Sequence, residues 1–215
     1  MQLVFFDLDG TISRRDTLTP YVLQLALRRP WRLLRAGWIL PTLLAFALRA
    51  ADHGALKGSL IRALLGGLRR EEIEAWNTRF VPHLLQTGLF ADARAAIAAH
   101  QRAGDRLVLM SASVDLYVPA LAEALGFDEC ICSKVVWQGD RLIGELQGDN
   151  CRDQVKLVRF RERAAQNPDA ATVAYGNSRP DLPHLRVAKR AVLVNPTGKL
   201  QKEARAAAIE CVRWS

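Results

Sequence analysis

The sequence predicts an α/β protein: a three-layer core built on a parallel sheet, interrupted early by an all-helical insertion. Three observations carry this expectation. An apolar run, LVFF, precedes Asp7. From about Thr19 to His100 the pattern is helical without a convincing strand. Beyond that stretch, strand-like and helix-like segments alternate to Ser215, which implies parallel strands joined by right-handed crossovers.

Each element has a local reason. Gln2 to Asp7 reads as a strand, and period-two alternation would put Leu3, Phe5, Asp7 and Asp9 on one side and Val4, Phe6 and Leu8 on the other. In the helical stretch, Thr19-Pro20 marks an N-terminus, HGALKGSLIRALLGGL ends in Gly66-Gly67, and REEIEAWNTRFVPHLL carries acids in its first turn. FADARAAIAAHQRAG closes at Gly104, after which DRLVLMSAS has parallel-strand character. VDLYVPALAEALGF follows as a helix, and ECICSKVVW turns through Gly139-Asp140 into a hairpin. CRDQVKLVRFRERAAQ is helical, ATVAYGN and RAVLVNP are strands, and GKLQKEARAAA is a final helix. The composition shifts place the boundaries near Asp16 and Phe90, giving a core of residues 1–15 and 90–215 and a helical cap of 16–89.

With 215 residues, half of them hydrophobic, the chain can bury a sizeable core, and disorder is not expected. The formal net charge of +8 favours an anionic partner: a phosphorylated metabolite, lipid headgroups or nucleic acid. The arginines are dispersed, with neither zinc-finger spacing nor an aromatic RNA-binding signature, which argues against nucleic acid. Cys130, Cys132, Cys151 and Cys211 lack paired zinc spacing, and the opening strand has no signal-peptide pattern, so a reducing cytoplasm is expected. Cys130 and Cys132 share one side of a strand and read as core packing.

The segment Pro30 to Gly54 is unusually apolar. Its uncharged stretch Ala36 to Leu48 has 13 residues, short of the roughly 20 a bilayer-crossing helix needs. Pro41 interrupts it and Arg32, Arg35 and Arg49 flank it. The expectation is a helical hairpin buried in the chain or covered by a partner; the alternative is peripheral contact with the inner face of a membrane through Trp31–Leu48. Oligomeric state is left open.

In an open parallel sheet, ligands gather beyond the carboxyl ends of the strands. Asp7 ends the first strand, Ser111 ends LVLMS, Lys156 lies in the first turns of a helix, and Asn177 and Asp181 follow TVAYG. Singly, each has a bland explanation as a cap, a turn residue or a solvated charge. Together, four separate stretches bring polar groups to one rim.

In this order the residues resemble the haloacid dehalogenase superfamily, in its phosphoserine phosphatase-like branch with a helical cap, which also contains phospholipid-headgroup phosphatases. The opening motif D-x-D-G-T is Asp7-Leu8-Asp9-Gly10-Thr11; the second motif matches Ser111, the third Lys156, and the fourth is GNSRPD, Gly176 to Asp181. The resemblance implies a Rossmannoid core and a Mg²⁺-dependent phosphomonoesterase. Asp7 would be the nucleophile and Asp9 the proton donor and acceptor, with Ser111 and Lys156 holding the phosphoryl group. Mg²⁺ would be held by Asp7, the Asp9 carbonyl, and Asn177 or Asp181. Each assignment has a chemical reason. A carboxylate can approach an anionic ester only where cations neutralise the site, and Gly10 and the backbone near Thr11 can bring amides close to phosphoryl oxygens. Dehalogenases of the superfamily lack the second aspartate, so carbon–halogen cleavage is not expected.

Three positions depart from the family pattern. Asn177 stands where most relatives have Asp, Asp153 where many have Gly, and Pro180 where Gly is frequent. Asn177 motivates the alternative of a catalytically weak protein that binds phosphorylated ligands. In the cap, Asp16 either faces substrate or caps a helix, and Lys57 and Arg62 are candidate contacts to a carboxylate or second phosphate. The substrate expected is a small phosphorylated metabolite or a phospholipid headgroup.

Overall fold

A computed structural model describes all residues, 1–215. Strand β1 (Gln2–Phe6) is followed by α1 (Leu18–Leu27), a 3-10 helix (Pro30–Ile39), α2 (Leu40–Ala47), α3 (His53–Leu65), α4 (Arg70–Thr87) and α5 (Ala91–Arg102). The alternating half comprises β2 (Arg106–Val114), α6 (Val118–Ala124), β3 (Glu129–Gln138), β4 (Arg141–Gln147), α7 (Gln154–Ala165) and β5 (Ala171–Gly176). It continues through a 3-10 turn (Arg179–Asp181), α8 (Leu182–Leu185), β6 (Arg190–Val194), α9 (Gly198–Ala206) and β7 (Glu210–Val212). The sheet has seven strands in the order β4-β3-β2-β1-β5-β6-β7. Only β4 runs antiparallel, as the second arm of the expected hairpin. This is the α/β architecture the sequence predicts, with the helix-only stretch between β1 and β2.

β1 alternates as its sequence requires. Leu3 and Phe5 enter the core beneath α7, α8 and α9, whereas Val4, Phe6 and Leu8 enter the larger core shared with α1, α3, α4, α5 and α6. Tyr21, Ile61 and Trp76 of the inserted helices belong to the same apolar cluster as Phe6. The insertion is therefore packed continuously onto the sheet. Gly144 in β4 has φ +93°, and a Cβ there would lie 2.6 Å from Arg62 Cα, so α3 crosses the hairpin against bare backbone.

Some elements differ from expectation. β1 stops at Phe6, one residue before Asp7. β2 runs through Ser111 to Val114, with a shift in its register to β3 between those two residues. Such a bulge lets a strand re-aim its side chains, here Ala112 and Ser113. The edge strand β7 and the short helix α8 carry too few periodic residues to be read from sequence. Cys130 and Cys132 are half-buried and pack against the larger core, as expected.

The apolar segment is not buried by this chain. Trp31, Leu34, Trp38, Leu40, Leu44 and Leu48 are exposed, and α2 has no buried residue. Only Arg32 and Ile39 of the 3-10 helix are buried. A 3-10 run of this length is unusual, and Pro30 and Pro41 bracket it. No helix is long and apolar enough to cross a membrane.

Candidate active site

The carboxyl ends of β1, β2 and β5 meet at a pocket of about 210 Å³ whose lining includes Asp7, Asp9, Asp16, Lys57, Ser113, Lys156 and Asp181. Asp7 follows β1 directly; its N–H donates to the Tyr175 carbonyl of β5 at 3.0 Å. Its carboxylate accepts from Lys156 Nζ at Oδ1 (2.5 Å) and from the Thr11 hydroxyl at Oδ2 (3.0 Å). Lys156, the third residue of α7, also donates to Asp181 Oδ1 at 2.7 Å. The ammonium thus bridges two carboxylates in a buried floor.

Asp9 reaches the same pocket by a different route from the one its spacing suggested. With β1 ended, the chain turns at Gly10, φ +83°, and a Cβ there would lie 2.0 Å from Asn177 Nδ2. Only glycine allows that conformation and that approach. Asp9 Oδ1 accepts from the N–H and hydroxyl of Thr17 at 2.8 and 2.7 Å, and Oδ2 accepts from Ser113 Oγ at 2.6 Å. Thr17 in turn meets the Tyr117 hydroxyl at 2.6 Å. The carboxylate is fixed from the first cap helix and from the β2 bulge at once.

The two acids at the floor have opposite electrostatic fates. Burial pushes Asp7 up to about 7, against the pull of Lys156 and with the charge of Asp181 adding to the rise. Burial would raise Asp181 too, but Lys156 and hydrogen bonds to its anion outweigh it and hold it at about 2. Burial also raises Asp9, with Ser113 and Thr17 opposing. Lys156 is held above the ordinary lysine range because Asp181 and Asp7 outweigh its desolvation.

The remaining expected residues divide. Ser111 is fully buried, and its Oγ accepts from the Ser113 N–H at 3.0 Å. Asp16 lines the pocket, and its Oδ2 accepts from the Thr19 N–H in the first turn of α1 at 2.9 Å. Lys57 of α3 lines the pocket and donates to the Ala112 carbonyl and to Asn150 Oδ1, the latter at 2.7 Å. Burial lowers it to about 8. Arg62, five residues further along α3, does not join them: it pairs with Glu145 and lines a neighbouring cleft of about 590 Å³. The cleft and the pocket share Asn150. Sequence reasoning missed Ser113, Thr17, Asn150, His53 and Arg152; only Ser113, two residues after an expected site, had a signal in the sequence.

The donor set can be compared with a hard divalent cation. Asp181 Oδ1 is taken by Lys156, and Oδ2 accepts from Asn177 N, Ser178 N and Ser178 Oγ at 3.2, 3.1 and 2.7 Å. Its Oδ2 is saturated, and Oδ1 keeps one lone pair beside the ammonium. By contrast, the Asp9 carbonyl and the Asn177 side-chain oxygen take part in no hydrogen bond within the chain, and Gly10 brings the Asn177 amide against the loop that carries the first. No group of three or more His, Cys, Asp or Glu is arranged around a common point. Mg²⁺ characteristically takes one or two carboxylates and keeps several waters, so Asp7, the Asp9 carbonyl and Asn177 fit it.

Known proteins resemble this chain in sequence and in fold. A profile of the family described as haloacid dehalogenase-like hydrolase matches residues 4–186. The chain is 33% identical over 193 residues to protein CicA of Caulobacter vibrioides, covering 86% of this chain and 82% of that one. It is 29% identical over 208 residues to the probable phosphatase Rv3661 of Mycobacterium tuberculosis, covering 93% and 71%. Its fold is also that of a probable phosphoserine phosphatase from Vibrio cholerae, with a TM-score of 0.72 at 15% identity, covering 100% of this chain and 61% of that one.

Proposed function

Since the chain belongs to the haloacid dehalogenase-like hydrolase family, we propose that it is a Mg²⁺-dependent phosphomonoesterase in which Asp7 becomes transiently phosphorylated. The observation that carries the reading is the Lys156 bridge between Asp7 and Asp181 at the pocket floor. It holds one carboxylate oxygen of Asp7 in place and leaves a positive charge where an ester's phosphoryl oxygens would arrive.

Bound Mg²⁺ would supply the second cation that lets two anions meet, held by Asp7, the Asp9 carbonyl and Asn177. Asp7 attacks phosphorus, and the bond to the leaving oxygen breaks. Asp9, whose carboxyl burial keeps protonated more readily than usual, gives that oxygen its proton. In the second half Asp9 takes a proton from water, which attacks phosphorus and frees Asp7. Ser113 and Thr17 aim Asp9 throughout. Asp181 acts by orienting Lys156 and the Asn177–Ser178 turn.

We take residues 16–89 as a cap over a core of 1–15 and 90–215. Asp16 and Lys57 are its contributions to the pocket, and its closure would exclude bulk water. The small pocket suits a phosphate, and the adjoining cleft gives the leaving group room. That space admits a small phosphorylated metabolite or a lipid headgroup. Four free thiols fit a cytoplasmic setting.

Release of phosphate from p-nitrophenyl phosphate tests the proposal. It should require Mg²⁺ and vanish in Asp7→Asn. Tight phosphate binding without turnover would instead support the weak-catalyst reading that Asn177 motivates.

A further inference from the structure

Residues 28–49 hold five arginines and no acidic residue, and this arm is also where the chain leaves most apolar surface uncovered. Leu40 and Leu44 of α2 and Leu48 just after it recur at helical spacing with exposures of 64%, 62% and 71%. Trp31, Leu34 and Trp38 extend the apolar surface along the 3-10 helix.

Beneath the arm lies a pocket of about 220 Å³ lined by Leu25, Arg28, Arg29, Arg32, Leu68 and Glu72. Arg32 is only 7% exposed. Its Nη1 donates to the carbonyls of Leu64 and Gly66 at 3.1 and 3.0 Å, but its buried Nε has no partner. An unpaired buried donor is costly, and a charged one more so. The one acid nearby, Glu72, is engaged by Arg29 and by the Arg69 N–H at 2.8 Å. Positive charge therefore exceeds negative in the pocket.

We propose that this arm docks on an anionic lipid surface, with a lipid phosphate seated in the Arg28–Arg29–Arg32 pocket and the leucine and tryptophan side chains resting at the acyl boundary. Charge selects this occupant. A second copy of the chain would bring five like charges to the contact, whereas an anionic bilayer offers apolar depth edged by negative headgroups. Tryptophans beside arginines suit that interface. Neither helix of the arm is long enough to cross, so the arm lies on the surface. Trp38 and Thr42 of the arm also line the cleft next to the catalytic pocket. That docking would present the cleft to headgroups rests additionally on the function proposed above.

Co-sedimentation of the full chain with vesicles tests this. Recovery is expected with phosphatidylcholine containing a quarter phosphatidylglycerol, and not with phosphatidylcholine alone. Leu34→Glu with Leu44→Glu should abolish it, and Arg28→Gln and Arg35→Gln should each weaken it roughly fivefold. All these variants should hydrolyse p-nitrophenyl phosphate like the parent, which shows that they fold and keeps the result independent of the catalytic proposal. Inorganic phosphate should displace the protein more than chloride of equal ionic strength. Equal displacement would overturn the phosphate-binding pocket. Absence of vesicle binding, indifference to lipid charge, or a lipid-free dimer dissolved by the leucine substitutions would overturn the docking surface.

Discussion

Lys156 Nζ lies 2.5 Å from Asp7 Oδ1, and this contact joins residues 149 positions apart in the chain. It sets the first prediction. Replacing Lys156 with Met leaves Asp7 and Asp181 facing each other without a cation in a buried floor. Removing one member of such a group costs about 3–5 kcal/mol. Urea unfolding of Lys156→Met at neutral pH should show a loss of that order, and the variant should have no measurable turnover.

Asp9 is held by Thr17 and Ser113 rather than by the lysine. Its role as proton donor predicts a dependence on the leaving group. Asp9→Asn should slow hydrolysis of an alkyl phosphate by roughly 10²–10⁴-fold, and that of an aryl phosphate with an acidic leaving group far less. Equal losses on both esters, measured as kcat, would remove Asp9 from proton transfer.

Asp153, which precedes α7, has φ +49° and ψ −117°, a conformation that side chains disfavour and glycine accepts. Its side chain makes only an exposed contact with Arg152 at 3.3 Å. Asp153→Gly should therefore raise stability by about 1 kcal/mol, read as a higher urea midpoint at unchanged slope.

His184 is enclosed beside Phe160, and neither ring nitrogen has a partner. Burial, with the Lys156 charge adding to it, lowers its pKa from 6.5 to about 3. The folded chain keeps the ring neutral while the unfolded chain takes up a proton below about pH 6.5. Its contribution to stability is thus complete above that pH and is lost as pH falls toward 3. Between about pH 7.5 and about pH 4.5, stability should fall by roughly 2–3 kcal/mol more in the parent than in His184→Leu.

Much of this architecture was legible because its signals are local. Strand alternation in β1, the glycine turn at Gly139, and acids opening α4 each depend on neighbours in sequence. Asp7 and Lys156 could be expected together because a strand end and a helix start leave little freedom in where their side chains go, whereas strand alternation gave the wrong route for Asp9, which lies beyond the end of β1. Ser113 and Thr17 were hidden, since both act through Asp9: one depends on a bulge in β2 and the other on the entry to α1. Arg62 shows the converse limit. Five residues along α3, about 1.4 turns, separate it from Lys57 and place it in another cleft; α3 crosses the hairpin at Gly144. The arm at 28–49 was expected to be buried in the chain or covered by a partner; this chain leaves most of its apolar side chains exposed and anchors it through Arg32 and Ile39.

The central claim is that Asp7 itself carries the phosphoryl group between substrate and water. Acid quenching of the protein during turnover of a phosphomonoester with Mg²⁺, followed by mass spectrometry of the peptide containing Asp7, tests it directly. The account predicts a gain of one phosphoryl group on that peptide, absent from Asp7→Asn. An unmodified peptide under conditions where the leaving alcohol appears in a burst ahead of phosphate, or a phosphoryl group on any other residue, would contradict it.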